Sequence, residues 1–254
     1  MINIIRASIF KLLRDWTFRI TMIVGLGLAA LLLLVNGLLD LLNGQSLFIS
    51  CVAPTQNYGL TVPINLIVFT VSEFTFGTIR NKIIAGHPKF KVYIGLFLTG
   101  LIFTFSLMIM YATLMIGIGS AVGGFDASVI GGWKFCLFYT AYFVVTYVFI
   151  TAFSIFFGTL FRTIGGSISI VVVALVMLGM IPLFVQMASM DLEVNQVMLW
   201  LDPLYLFMYY GYFATPTAYE LKANVVAGGI VVPLYWAIIF FVSGAFIFIK
   251  RDVK

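Results

Sequence analysis

One short stretch concentrates charged and ionisable side chains in an otherwise apolar sequence. Between Glu73 and Lys91 lie a carboxylate, Arg80, Lys82, Lys89, Lys91 and the only histidine, His87. Elsewhere charge is sparse, at 9% of 254 residues, and long apolar runs flank the stretch on both sides. A carboxylate seven residues before Arg80 and nine before Lys82 suits an ion pair, Glu73–Arg80 or Glu73–Lys82, bracing a bend in the chain. The same set does not suit catalysis. One histidine rules out a two-histidine zinc motif, and no other group of ligands has metal spacing. There is no G-x-S-x-G nucleophile turn and no carboxylate pair within an apolar run. No G-x-x-x-x-G-K-S/T phosphate loop occurs either, so any ATP that drives this chain is bound by another polypeptide. The expectation is a chain that is not an enzyme and holds no cofactor or metal of its own.

The elements that position this stretch follow from composition. The chain is 63% hydrophobic and 17% aromatic. A soluble domain carries about 25% charged residues, and there is too little polar surface here to cover a water-soluble globule. The class is an integral membrane protein. The apolar runs are continuous rather than alternating, which selects helices over a membrane barrel. Six runs approach or exceed the roughly 20 residues a crossing helix needs. They are 20–39, 58–75, 93–122, 135–161, 164–187 and 225–249. The fold class is all-α, and residues 1–254 read as one transmembrane domain.

Lysine and arginine orient the spans. Six crossings put Arg6, Lys11, Arg14, Arg19, Arg80, Lys82, Lys89, Lys91, Arg162, Lys250, Arg251 and Lys254 on one side and only Lys134 and Lys222 on the other. The richer side is the cytoplasm, with both ends of the chain inside. The formal charge of +5 is dispersed and gives no nucleic-acid footprint.

Residues 1–19 form an amphipathic pattern. At 100° per residue, Ile2, Ile5, Ile9, Leu12, Leu13, Trp16 and Ile20 share one arc, while Arg6, Lys11, Arg14, Asp15 and Arg19 lie outside it. The expectation is a helix lying in the inner interface, apolar face down. Between spans five and six, "VMLWLDPLYLFMYYGYF" is aromatic-dense. Asp202-Pro203 has the form of an N-cap and first helical residue, and the segment reads as a re-entrant or interfacial outer helix or, equally, as an aromatic belt. Cys51 and Cys136 fall near the outer face, and sequence leaves their pairing open.

The stretch itself reads as a short helix. Gly77 gives a flexible point after Glu73, Thr78 a cap, Gly86 a stop, and Pro88 prevents continuation. "E-F-T-F-G-T-I-R-N-K-I-I-A-G-H-P" resembles the motif after the second span of type-2 permeases of ATP-binding-cassette (ABC) exporters. The amphipathic start, the outer segment before span six and the ending "FIKRDVK" are similar to that family as well. The family's usual Ser-Arg is replaced here by His87-Pro88-Lys89.

The resemblance implies a coupling helix that docks in a groove of an ATPase subunit, carried by Glu73, Gly77, Thr78, Arg80, Asn81, Lys82, Gly86, His87 and Lys89. It implies two ABC ATPase subunits holding ATP and magnesium, a second permease subunit in a homo- or heterodimer, and a place in the cell membrane among its lipids. The short members it resembles export bacitracin, lantibiotics or other amphipathic toxic peptides, which makes an antimicrobial peptide the expected cargo. Two alternatives stand beside it: a permease for lipids or lipid-linked polysaccharides, and an ATP-independent carrier or channel for a small apolar solute.

Overall fold

In the computed structural model the described residues are 2–14, 61–122, 133–161, 163–189, 196–204 and 223–250, with single positions between 16 and 31. All regular structure among them is helical, in eight helices: α1 (Ile2–Arg14), α2 (Thr61–Thr75), α3 (Thr78–Ile84), α4 (Lys89–Val122), α5 (Trp133–Phe161), α6 (Ile164–Ser189), α7 (Gln196–Leu201) and α8 (Ala223–Lys250). Three stretches are long and apolar enough to cross a membrane, Lys89–Met110, Thr140–Phe161 and Ala223–Lys250. The bent pair formed by α2 and α3 makes up to four, and Ile164–Leu178 is a shorter apolar helix. The chain is therefore a multi-pass helical membrane protein on length and composition. The expected span at 20–39, Cys51 and the side chain of Cys136 lie outside what the structure describes.

The core is built where α8 and α2 meet α5. Phe240 of α8 sits among Phe149, Phe153, Phe156 and Phe157 of α5, with ring centroids 4.9–6.3 Å apart. Tilted and edge-on ring pairs of this kind add to simple area burial, and aromatic mass is what this sequence has in excess. Close approach elsewhere depends on glycine. A Cβ at Gly158 of α5 would lie 3.0 Å from Thr70 of α2, and one at Gly100 of α4 would meet Ile155 and Thr151 of α5 and Leu66 of α2. Such small-residue contacts let helix backbones approach where lipid removes the hydrophobic drive between helices.

Several of the hydroxyls buried in this apolar interior are satisfied locally. Thr99, Thr104, Thr146, Thr151 and Ser154 each donate to the carbonyl four residues earlier. The Thr104 and Thr151 hydroxyls also lie 3.0 Å apart, so either can donate to the other in place of its carbonyl and tie α4 to α5. In a low-dielectric interior a hydroxyl without an acceptor is costly, and the preceding turn offers the nearest one.

The outward faces are apolar. On α8, Val231, Leu234, Tyr235, Ile238, Val242, Phe246 and Ile249 are exposed, and α6 exposes Ile170, Val173, Val176, Met177 and Phe184. Stripes of this size are not left to water, and lipid is the medium that fits them.

Candidate functional site

The site begins with a break in a helix. α2 ends at Thr75 and α3 starts at Thr78, at an angle of 55°. Gly77 makes the break. Its φ of 67° is left-handed, a region open to glycine and strained for most other residues. Gly77 is also the N-cap of α3, accepting the N–H of Asn81 at 2.9 Å. Thr78, expected as the cap, is instead the first helical residue. Its hydroxyl donates to the Glu73 carbonyl at 2.8 Å and stitches α3 back onto α2.

α3 stops after two turns. Gly86 takes φ 86°, its N–H reaches the Ile83 carbonyl, and the His87 N–H reaches the Lys82 carbonyl. This pair of bonds, with a left-handed glycine just past the end, is a Schellman stop. Pro88 follows, and its carbonyl accepts the first bond of α4 from Val92. The short helix is thus set between two glycines whose conformations most other residues adopt only with strain.

Glu73 lies at the inside of the bend with its side chain 1% exposed. Lys82 donates to one carboxylate oxygen at 2.6 Å. Lys11, from α1, donates to the other at 2.8 Å and stands 5.4 Å from the ring centre of Phe76. Lys82 also donates to the Ser8 hydroxyl at 3.0 Å. One anion thereby holds two cations from two other helices, and three separate elements converge on it. Burying one charge without partners is prohibitive, while a carboxylate with a cation on each oxygen is well compensated.

Of the two ion pairs left open, Glu73–Arg80 and Glu73–Lys82, the structure forms the second. Helix continuity across Gly77 would have set Glu73 and Arg80 on one face, and the bend there breaks it and leaves Arg80 exposed. The N-terminal helix, expected as an amphipathic interfacial helix, also contributes to the joint: Ser8 and Leu12 are buried, and Lys11 points inward to Glu73. A buried carboxylate without a cation is costly, and Lys11 supplies one from α1. Sequence reasoning missed both Ser8 and Lys11. The one trace of them is the spacing of Ser8, Lys11 and Asp15, which marks a polar edge beside the apolar arc.

The other expected residues have different surroundings. Arg80 and Asn81 are exposed on α3, as are Ile84 and, at the bend, Phe76. His87 is half-buried after the Schellman stop. Lys89 donates to the Ile249 carbonyl at 3.1 Å and so reaches the last turn of α8, where carbonyls lack helical partners and a cation is favoured. Among the described residues no group of three or more His, Cys, Asp or Glu could hold a metal ion. The arrangement is a joint between helices: a buried ionic clamp behind a short helix, and an exposed basic and apolar surface in front.

Comparison of the chain with protein-family models, with characterised proteins and with solved structures returned no match.

Proposed function

We propose that this chain is the membrane permease subunit of an ABC exporter, with α3 as the element that receives force from a separate ATPase. The observation that carries this reading is the division of α3 into two faces. Lys82 faces inward and ties α3 to Glu73 and, through it, to α1. Arg80, Asn81 and Ile84 face outward. A push on the outward face is transmitted because the clamp and Thr78 leave no loose hinge behind it. On this reading the chain makes six crossings, the basic segments face the cytoplasm, and α1 lies at the inner interface. Two permease subunits, alike or different, pair above two ATPases that bind ATP and magnesium.

The cargo proposed is an amphipathic or hydrophobic molecule, with an antimicrobial peptide as the leading candidate on family resemblance. The middles of the described long helices hold no Asp, Glu, Lys, Arg or His. An apolar cargo asks for no buried ion there, whereas proton- or sodium-coupled transport does.

The test is affinity purification from native membranes in mild detergent, followed by ATPase measurement. The wild-type chain is expected to bring an ABC ATPase with it in stoichiometric amount. Arg80→Glu lies outside the clamp, so it should leave the chain folded in the membrane and weaken ATPase association about tenfold, roughly 1.4 kcal/mol. Lys82→Glu is the poorer probe because it also breaks the clamp. A pure preparation without ATPase, or full export with Arg80→Glu, refutes the proposal and favours an ATP-independent carrier.

A further inference from the structure

We propose that Asp202 is a proton-binding switch: protonated, it seats the 196–204 segment on the Ala223 end of α8, and ionised, it releases that segment. The inference is independent of the ATPase reading, since it concerns the opposite end of α8 from the joint. Lys89 reaches α8 at Ile249. The 196–204 segment meets it at Gly228, 21 residues or about 31 Å of helix away.

The seating has two fixed points. Leu199 is 1% exposed, and a Cβ added at Gly228 of α8 would lie 2.7 Å from its Cγ, so the leucine rests on bare backbone. The Trp236 indole N–H donates to the Leu201 carbonyl at 3.1 Å. Asp202 follows directly and is 8% exposed. Its Oδ1 accepts the Leu204 N–H at 2.8 Å, a local bond to the backbone two residues on. Its Oδ2 has no hydrogen-bond partner.

That local bond needs one oxygen and does not require burial of the other. A buried carboxylate with one backbone donor and no cation pays the full penalty of an uncompensated charge, while the neutral acid pays only for one unmet polar atom. Among the described residues α8 brings only Tyr235, whose ring is exposed, and Lys250, at its far end. α7 itself carries no ionisable residue. The charged residues nearest in sequence, Asp191, Glu193, Glu220 and Lys222, lie outside the described residues. Burial pushes the Asp202 carboxyl up from 3.8 to about 7, against the smaller opposing effect of the Leu204 N–H. The folded pKa is raised, so the seating is fully favoured below 3.8, weakens as pH rises from 3.8 to about 7, and levels off above.

The linkage sets the size of the effect. With 3.8 for the released acid and about 7 for the seated one, the seating constant falls about thirtyfold between pH 5.5 and pH 8.5. The experiment uses the full chain in lipid nanodiscs. Hydrogen exchange of the 199–204 amides, expressed as protection relative to the unstructured rate at each pH, should fall about thirtyfold over that range in the wild type. Asp202→Asn keeps the Oδ1 acceptor and cannot ionise, so its protection should be flat with pH. Infrared spectra should show a protonated carboxylic acid that titrates near neutral pH in the wild type and is absent from the variant. A wild-type protection profile that is flat with pH overturns the switch. So does the absence of a carboxylic acid titrating near neutrality, a reading that stands even if the variant fails to fold.

Discussion

Replacing Glu73 with alanine is the most direct test of the joint. The substitution removes the anion that Lys11 and Lys82 share and leaves two ammonium groups facing each other across a cavity. A hydrogen bond to a charged group contributes about 1.5–3 kcal/mol. The Lys82 side chain is 17% exposed and its bond belongs in the upper part of that range. Lys11 is 30% exposed, so water takes over much of its lost bond, and its share is smaller than the range suggests. The total is about 3 kcal/mol, roughly 150-fold in the equilibrium between closed and open joint. The loss is local, so amide exchange of α3 and α1 is the assay, with the α5 core amides as an internal control. Protection in α3 and α1 should fall by that factor while the core is unmoved. Lys11→Met alone should open α1 much more than α3. Replacing all three with apolar residues, Glu73→Leu with Lys11→Met and Lys82→Met, should restore much of the protection, since packed apolar groups substitute well for a buried ion cluster. Unchanged α3 protection in Glu73→Ala would refute the clamp, and a triple variant no better than the single one would show that packing alone does not replace it.

Two further predictions concern backbone and packing. Gly77→Ala meets no atom within 4 Å, so its whole cost is conformational, about 1–2 kcal/mol at φ 67°; α3 exchange should quicken accordingly, and Gly77→Asn should recover part of the loss. Gly244 of α8 lies directly beneath the buried Tyr93 hydroxyl, which has no hydrogen-bond partner and whose ring packs 5.5 Å from Phe241 and Phe248. Gly244→Ala should therefore cost about 1–3 kcal/mol by overpacking, read as a lower thermal midpoint in nanodiscs. Tyr93→Phe should be close to neutral alone and should rescue Gly244→Ala. Additive losses would show that the tyrosine is not what the alanine strikes.

Composition and periodicity determined the class of this protein. Charge at 9% and continuous apolar runs leave only a helical membrane protein, because neither water nor a barrel accommodates them. Glycine and proline determined the punctuation of α3, since Gly77, Gly86 and Pro88 act on the local backbone whatever surrounds them. Tertiary structure decided which charges meet. Arg80 and Lys82 are two residues apart on α3, and sequence treats them alike as partners for Glu73. Helical spacing sets the two about 200° apart, and the 55° break at Gly77 decides that Lys82 is the one facing Glu73. Lys11 lies 62 residues from Glu73, and no local rule links them. Their pairing follows from where α1 packs, and burial of the carboxylate then made it the strongest acceptor within reach. Burial also separates Glu73 from Asp202: both are acidic residues in an apolar chain, but the fold gave two cations to one and left an oxygen of the other without a hydrogen-bond partner.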